Sequence, residues 1–393
     1  MNSHDPRLAI PETARREGPP ERSDTRTVLV LQGGGALGAY QAGVYEALAT
    51  HNMRPDWVSG ISIGAINAAI IAGNPVGKRV STLHKFWSRA SSELLYKLDE
   101  PIGFARRTFN EVSALYAATL GIPGFYTPRF PPPLTEWPAE FGQLSFYDTA
   151  PLRDTLLELV DFERINRGET RLSVGAVNVM SGNFVYFDNF ERKIGPEHIM
   201  ASGALPPGFP PIEIDGEWYW DGGLVSNTPL QYVLDNRSQA GMDVFQIDLF
   251  SSRGEVPRTM ADIAQREKDI RFSSRTRLGT DMSRRLQHLR AAARRLADKL
   301  PEDLHADPDL AELLSCQPEG PVAVMHLINR PRGYETNSKD YEFSRMTVDE
   351  HWGAGKADAL FSLDHPDWTG RKLAPDEIIT FDLACERERG KVG

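Results

Sequence analysis

Cysteine is almost absent. The 393 residues hold two, Cys316 and Cys385, and neither has a Cys or His neighbour at ligand spacing. That excludes a disulfide framework or a zinc module, and it is compatible with a reducing compartment. Long hydrophobic runs are missing too, with no stretch of about 18 apolar residues to cross a bilayer. Met1 to Arg26 lacks the apolar core of a secretion signal and is rich in proline and balanced charge, so residues 1–25 are expected to be a disordered tail. The localisation these absences predict is cytoplasmic. Basic charge is also in deficit: 44 Lys and Arg face 54 Asp and Glu, a formal charge of −10, so nucleic acid is not an expected partner.

What remains is 40% apolar and 25% charged, the composition of a folded protein of one large or two smaller domains. Thr27 to Leu31 is a β-branched apolar run without alternation, which predicts a strand buried on both faces. A helix is expected after Gly38, ending near Asn52, then a strand over Asp56 to Gly60 and an Ala-rich buried helix over Ile63 to Ala72. Gly73-Asn74-Pro75 stops that helix. A right-handed crossover makes the two strands parallel, so the loops leaving their C-terminal ends share one sheet edge.

Residues 100–148 include the run 121–133, too rich in proline and aromatics for a regular element, which predicts either a pocket-lining lid or a surface excursion. Further on, Leu152 to Val160 reads as a helix, and Arg171 to Met180 and Asn183 to Asp188 as strands. Ile212 to Ile214 and Glu217 to Trp220 form a hairpin around Asp215-Gly216. Thr228-Pro229 is expected to cap a helix. Met242 to Phe250 and Val322 to Ile328 complete the buried strands.

Gly60-Ile61-Ser62-Ile63-Gly64 is GxSxG between a strand and an apolar helix, the context in which this motif makes a sharp turn presenting a serine nucleophile. Upstream, Gly33-Gly34-Gly35-Ala36-Leu37-Gly38 ends the first strand ahead of a helix. Freed backbone amides there suit developing negative charge, so an oxyanion hole for an acyl carbonyl attacked by Ser62 follows. The same hexapeptide matches GxGxxG, but Ser59-Gly60-Ile61-Ser62 occupies the strand end where a dinucleotide site needs an acidic ribose partner. A plain packing turn is the remaining reading. Gly73 to Arg79 lacks P-loop spacing and a Ser or Thr after Lys78.

The serine needs a base. His326, His351 and His365 lie downstream in the order of a Ser/His/Asp triad, none in a glycine-marked strand-end loop, and His326 within an apolar strand. Asp221-Gly222-Gly223 follows a hairpin strand, and its glycines let the loop approach another backbone closely. A carboxylate takes a serine proton if it is desolvated and hydrogen-bonded to it.

These motifs in this order resemble the patatin-like phospholipase family, as do Ala201-Ser202-Gly203-Ala204-Leu205-Pro206 and Asp221 to Leu230. The resemblance covers about residues 26–231, and 232–393 resemble a C-terminal extension of a bacterial subset. It implies a three-layer α/β/α fold with a mostly parallel sheet, and hydrolysis of lipid acyl esters by a Ser62/Asp221 dyad without cofactor or metal. Many members carry Arg or Lys where this chain has Leu37. A non-catalytic scaffold and a triad esterase are the competing classes.

Within the extension, residues 266–299 hold eleven Lys or Arg and four Asp or Glu. Met282, Leu286, Leu289, Ala293, Leu296 and Leu300 step by three and four, which predicts an amphipathic helix with Arg284, Arg285, Arg290, Arg294 and Arg295 on its other faces. It either docks on anionic lipid or packs its stripe on the main domain.

Overall fold

The first strand explains the layering. Its apolar run alternates between two cores: Leu29 and Leu31 enter the larger one, Val28 and Val30 a second on the opposite face. The sequence shows no polar alternation because both faces are covered. In the computed structural model the described residues are 25–91, 104–133, 138–274, 282, 284–285, 289, 292–301, 307–310, 320–330, 332–374 and 377–389.

Chain order is β1 (Thr25–Leu31), α1 (Ala39–Thr50), β2 (Trp57–Gly60), α2 (Ile63–Ala72), α3 (Val76–Ala90), α4 (Phe104–Leu120), β3 (Thr127–Pro128), β4 (Tyr147–Asp148), α5 (Ala150–Leu159) and α6 (Phe162–Asn166). There follow β5 (Arg171–Asn178), β6 (Phe184–Asp188), α7 (Pro196–Ser202), β7 (Ile212–Ile214), β8 (Glu217–Asp221), α8 (Leu230–Asp235), β9 (Gly241–Asp248) and α9 (Met260–Phe272). The last are β10 (Val322–Ile328), α10 (Arg345–Asp364), α11 (Pro366–Thr369), β11 (Ile378–Phe381) and α12 (Ala384–Arg389).

Nine strands form one sheet, ordered β11-β10-β9-β1-β2-β5-β8-β7 with β6 also on β5. Pairing is parallel from β11 to β5 and antiparallel at β6, β8 and β7. Helices α1, α2 and α10 contribute to the larger core, while Leu230, Val233 and Leu234 of α8 close the second. The result is the expected three-layer α/β/α fold.

The arrangement around β5 decides the site. β6 pairs with residues 173–177, overlapping both the β2 register (171–174) and the β8 register (176–178), so it occupies the opposite edge from both. β2 and β8 therefore lie end to end along one edge of β5. Gly60 sits opposite Val174 and Asp221 opposite Ala176, so the tips of the two strands converge at Gly175.

The chain beyond residue 231 completes the same sheet, since β9 pairs with β1 over its full length. α10 also crosses α1 closely. A Cβ on Gly43 would stand 1.9 Å from Trp352 O, and one on Gly355 2.1 Å from Tyr40 O, so only glycine permits the approach. Tyr40 Oη donates to Asp358 Oδ2 at 2.8 Å, and Lys356 Nζ pairs with Glu46 Oε1 at 2.8 Å across the same crossing.

Several local expectations shift. A 3-10 turn, Gly35–Gly38, precedes α1. Thr228 is not a helix cap: α8 begins at Leu230 with Pro229 at the cap position, and the Thr228 hydroxyl accepts from Gln32 Nε2 at 2.8 Å instead. The region 100–148 contains a regular helix, α4, before its proline-rich run. Of the stripe expected over 282–300, Leu286 lies outside the described residues. Met282, Leu289 and Leu296 are more than half exposed, and Ala297 is buried. Cys316 also lies outside the described residues.

Candidate active site

Ser62 follows β2 and caps α2 with φ 55° and ψ −123°. A non-glycine residue at positive φ stores strain of about 1–3 kcal/mol and persists only where its surroundings impose it. Here they do. A Cβ on Gly60 would lie 2.3 Å from Gly64 O, and one on Gly64 2.3 Å from Leu31 O, so the turn is pressed between its own helix and the end of β1. The Ser62 N–H donates to Ser202 Oγ at 3.0 Å.

Asp221 ends β8, and its own N–H donates to Ala204 O at 3.0 Å. Its carboxylate accepts from Gly223 N at 2.7 Å. Burial pushes its pKa up from 3.8 to about 6, while the Ser62 hydroxyl beside it and the Gly223 amide act in the opposite direction. The Ser62 hydroxyl and the Gly223 amide are thus the two donors that face this carboxylate.

The glycine loop lies against the serine, since a Cβ on Gly33 would come within 3.1 Å of Ser62 Cβ. Its amides are not equivalent. Gly33 N donates to Asn227 O, Ala36 N to Asp340 O and Leu37 N to Gly34 O. Among the described residues no hydrogen bond engages the amides of Gly34, Gly35 or Ile63. Leu37 is fully buried in the core, so its side chain does not reach the site.

A polar framework absent from the sequence reading holds this loop. Asn227 Nδ2 donates to Gly33 O and Phe272 O. Gln32 Oε1 accepts from Leu249 N and Phe250 N, Gln41 Nε2 donates to Gln32 O, and Asn67 Nδ2 bonds Gly38 O and Gln41 Oε1. Asn227 was within reach of sequence reasoning, in the segment after Asp221. Gln41 and Asn67 carry no local signal, because their partners come from other elements.

Ser62 and Asp221 open into one cavity of about 480 Å³ with Gly33, Gly34, Gly35 and Gly223 at its polar end. Phe125, Tyr126, Tyr147, Phe209, Phe250 and Phe343 form much of its wall. Tyr126 packs against Tyr147 at 4.8 Å and Phe209 at 5.2 Å between ring centroids, so the proline-rich segment and β4 do line the pocket. Such a surface suits an acyl chain.

None of the three histidines lies on this cavity. His351 is buried in α10, where desolvation and then Arg332, Lys339 and Arg106 push its pKa down to about 3. His365 caps α11 by accepting from Asp367 N at 3.2 Å, and His326 sits in β10.

An α/β/α sandwich whose strained serine turn and buried aspartate share an aromatic cavity is a lipid-hydrolase frame. The chain belongs to the patatin-like phospholipase family, whose profile matches residues 29–234, while a second, described as patatin phospholipase, matches 270–374. No curated protein matches.

Solved structures with some likeness include VipD from Legionella pneumophila, at 16% identity and TM-score 0.32 over 84% of this chain and 67% of that one. Human GIVD cytosolic phospholipase A2 aligns at 11% identity and TM-score 0.33, over 56% of this chain and 43% of that one. The ExoU–SpcU complex of Pseudomonas aeruginosa aligns at 16% identity and TM-score 0.27, over 74% and 59%. The chain thus spans from less than half to about two thirds of the proteins it is aligned with. Among the described residues no helix is long and apolar enough to cross a membrane.

Proposed function

We propose that the protein hydrolyses lipid acyl esters through a Ser62/Asp221 dyad and an acyl-enzyme. The observation that carries this reading is the convergence of a strained Ser62 and a buried Asp221 on one aromatic-walled cavity. The acyl chain lies along the aromatic wall, with its carbonyl over Ser62. Asp221 takes the hydroxyl proton as Ser62 Oγ bonds to the carbonyl carbon, and the amides of Gly34, Gly35 and Ile63 receive the oxyanion, each such donor being worth about 10²- to 10³-fold in rate. Collapse breaks the bond to the alcohol, which leaves with the proton from Asp221. Water, deprotonated by the same carboxylate, then attacks the acyl-enzyme, releasing the fatty acid and restoring Ser62.

Esters of rising acyl length, with and without a phosphate headgroup, and a fluorophosphonate label test this. Wild type is expected to hydrolyse medium or long esters and to label at Ser62. Ser62→Ala and Asp221→Asn lose both, while Ala at His326, His351 or His365 retains them. Loss of labelling with one of those histidines would favour a triad. Wild type that neither turns over nor labels would make the protein a non-catalytic scaffold.

Peripheral contact with anionic membrane through residues 266–299 belongs to the same reading. It is supported by their basic excess and by the exposure of Met282, Leu289 and Leu296.

A further inference from the structure

The Ser202 hydroxyl is fully buried and makes two hydrogen bonds: it donates to Gly175 O at 2.7 Å and faces Ser62 N at 3.0 Å. A hydroxyl has a single proton. With that proton committed to Gly175, the oxygen can only accept from Ser62, so the direction of both bonds is fixed. The Ser62 bond orients the Ile61–Ser62 peptide plane, and through it the φ of 55° that aims Oγ into the cavity.

Two residues on, Ala204 O accepts the Asp221 N–H at 3.0 Å, and between them a Cβ on Gly203 would stand 3.9 Å from Ser62 Cα. The C-terminal residue of α7 and the turn after it therefore grip the main chains of both Ser62 and Asp221, and their anchor, Gly175 O, lies where the tips of β2 and β8 meet. A Cβ on Gly222 would come within 2.7 Å of that same oxygen.

We infer that Ser202 is a positioning residue: its hydroxyl fixes the strained main chain of Ser62 to β5 and so sets where the nucleophile stands relative to Asp221. This rests on the proposed Ser62/Asp221 chemistry. Ser202 does not line the cavity. Its loss therefore acts on the geometry of attack, not on acyl binding.

Ser202→Ala is compared with Ser202→Thr, which keeps the oxygen, and with Ser173→Ala. Ser173 makes a matched control on β5, the strand that anchors Ser202, since its fully buried hydroxyl donates to Asp188 Oδ2 at 2.7 Å and accepts from Trp57 Nε1 at 2.8 Å away from the cavity. Ser202→Ala is expected to lower kcat and the fluorophosphonate labelling rate by about ten- to a hundredfold, the scale of a small misplacement of reacting atoms. KM stays within about twofold, and the acid limb of the pH profile does not move down, because the burial of Asp221 and its Gly223 bond are intact while the Ser62 hydroxyl that lowers its pKa stands no closer. Ser202→Thr restores most of the rate. Ser173→Ala loses comparable thermal stability yet keeps wild-type kinetics.

Wild-type rates in Ser202→Ala would overturn the inference, as would losses in Ser202→Ala and Ser173→Ala that track stability alone. Should Ser202→Ala fail to fold, Ser202→Cys, whose sulfur is a weak acceptor, is judged by the same criteria. Wild type without turnover or labelling refutes the proposed function itself. An active wild type with an unaffected Ser202→Ala refutes only the role of Ser202.

Discussion

With Asp221 as the proposed base, activity and stability depend on the same proton. Burial holds its pKa at about 6 against an ordinary 3.8, so at pH 5 only about one tenth of the protein carries the base form and at pH 7 about nine tenths. In the reading proposed here, kcat/KM rises about tenfold per unit below pH 6 and levels off above pH 7, whereas an unperturbed aspartate would already give a plateau near pH 5. Stability moves the other way. The folded-state pKa is raised, so the unfolded chain gives up this proton first as pH rises. A penalty is absent below about pH 4, grows between pH 4 and 6, and is constant above. Two units correspond to roughly 3 kcal/mol. Asp221→Asn keeps the shape and an oxygen for Gly223 N but carries no charge. It is expected to lose at least 10²-fold in kcat/KM at pH 8 and to melt higher than wild type, with a gap that is small at pH 4 and largest above pH 7. Initial rates on a medium-chain ester from pH 4.5 to 9, paired with calorimetric melts, measure both curves. A flat kcat/KM between pH 5 and 8, or a melting gap that does not widen with pH, would refute the assignment of a buried, charged base.

Two further outcomes follow from other parts of the molecule. Lys339 Nζ meets Asp269 Oδ1 at 2.7 Å with both side chains almost fully buried, so Lys339→Met strands a carboxylate and is expected to cost about 3–5 kcal/mol in urea unfolding; a loss under about 1 kcal/mol would mean water already solvates the pair. Co-sedimentation with liposomes should increase with anionic lipid and fall when Leu289 and Leu296 are replaced by Ser. Binding indifferent to both changes would remove residues 266–299 as the contact.

Much of the site was legible because its chemistry is local. GxSxG needs glycines wherever a turn is pressed between two backbones, and the distances around Gly60 and Gly64 show that compression. Strand ends bearing glycine and aspartate were visible for the same reason. The glycine loop was read too broadly: six amides looked equivalent, but Asn227 and Asp340 take those of Gly33 and Ala36, and a 3-10 turn takes that of Leu37. Ser202 stood in a recognisable segment without a role, because nothing in its neighbourhood announces a bond to a residue 140 positions away.

The sequence by itself determined most of the strands, the two helices on either side of the serine turn, the strained turn and the doubly covered first strand, since periodicity, glycine placement and side-chain branching act over a few residues. Only the tertiary structure decided which groups meet. Placing β2 and β8 end to end on one edge of β5 required closing long loops, and the burial that raises the Asp221 pKa comes from elements remote in the chain. Desolvation and close approach are properties of the packed whole, so no short segment encodes them.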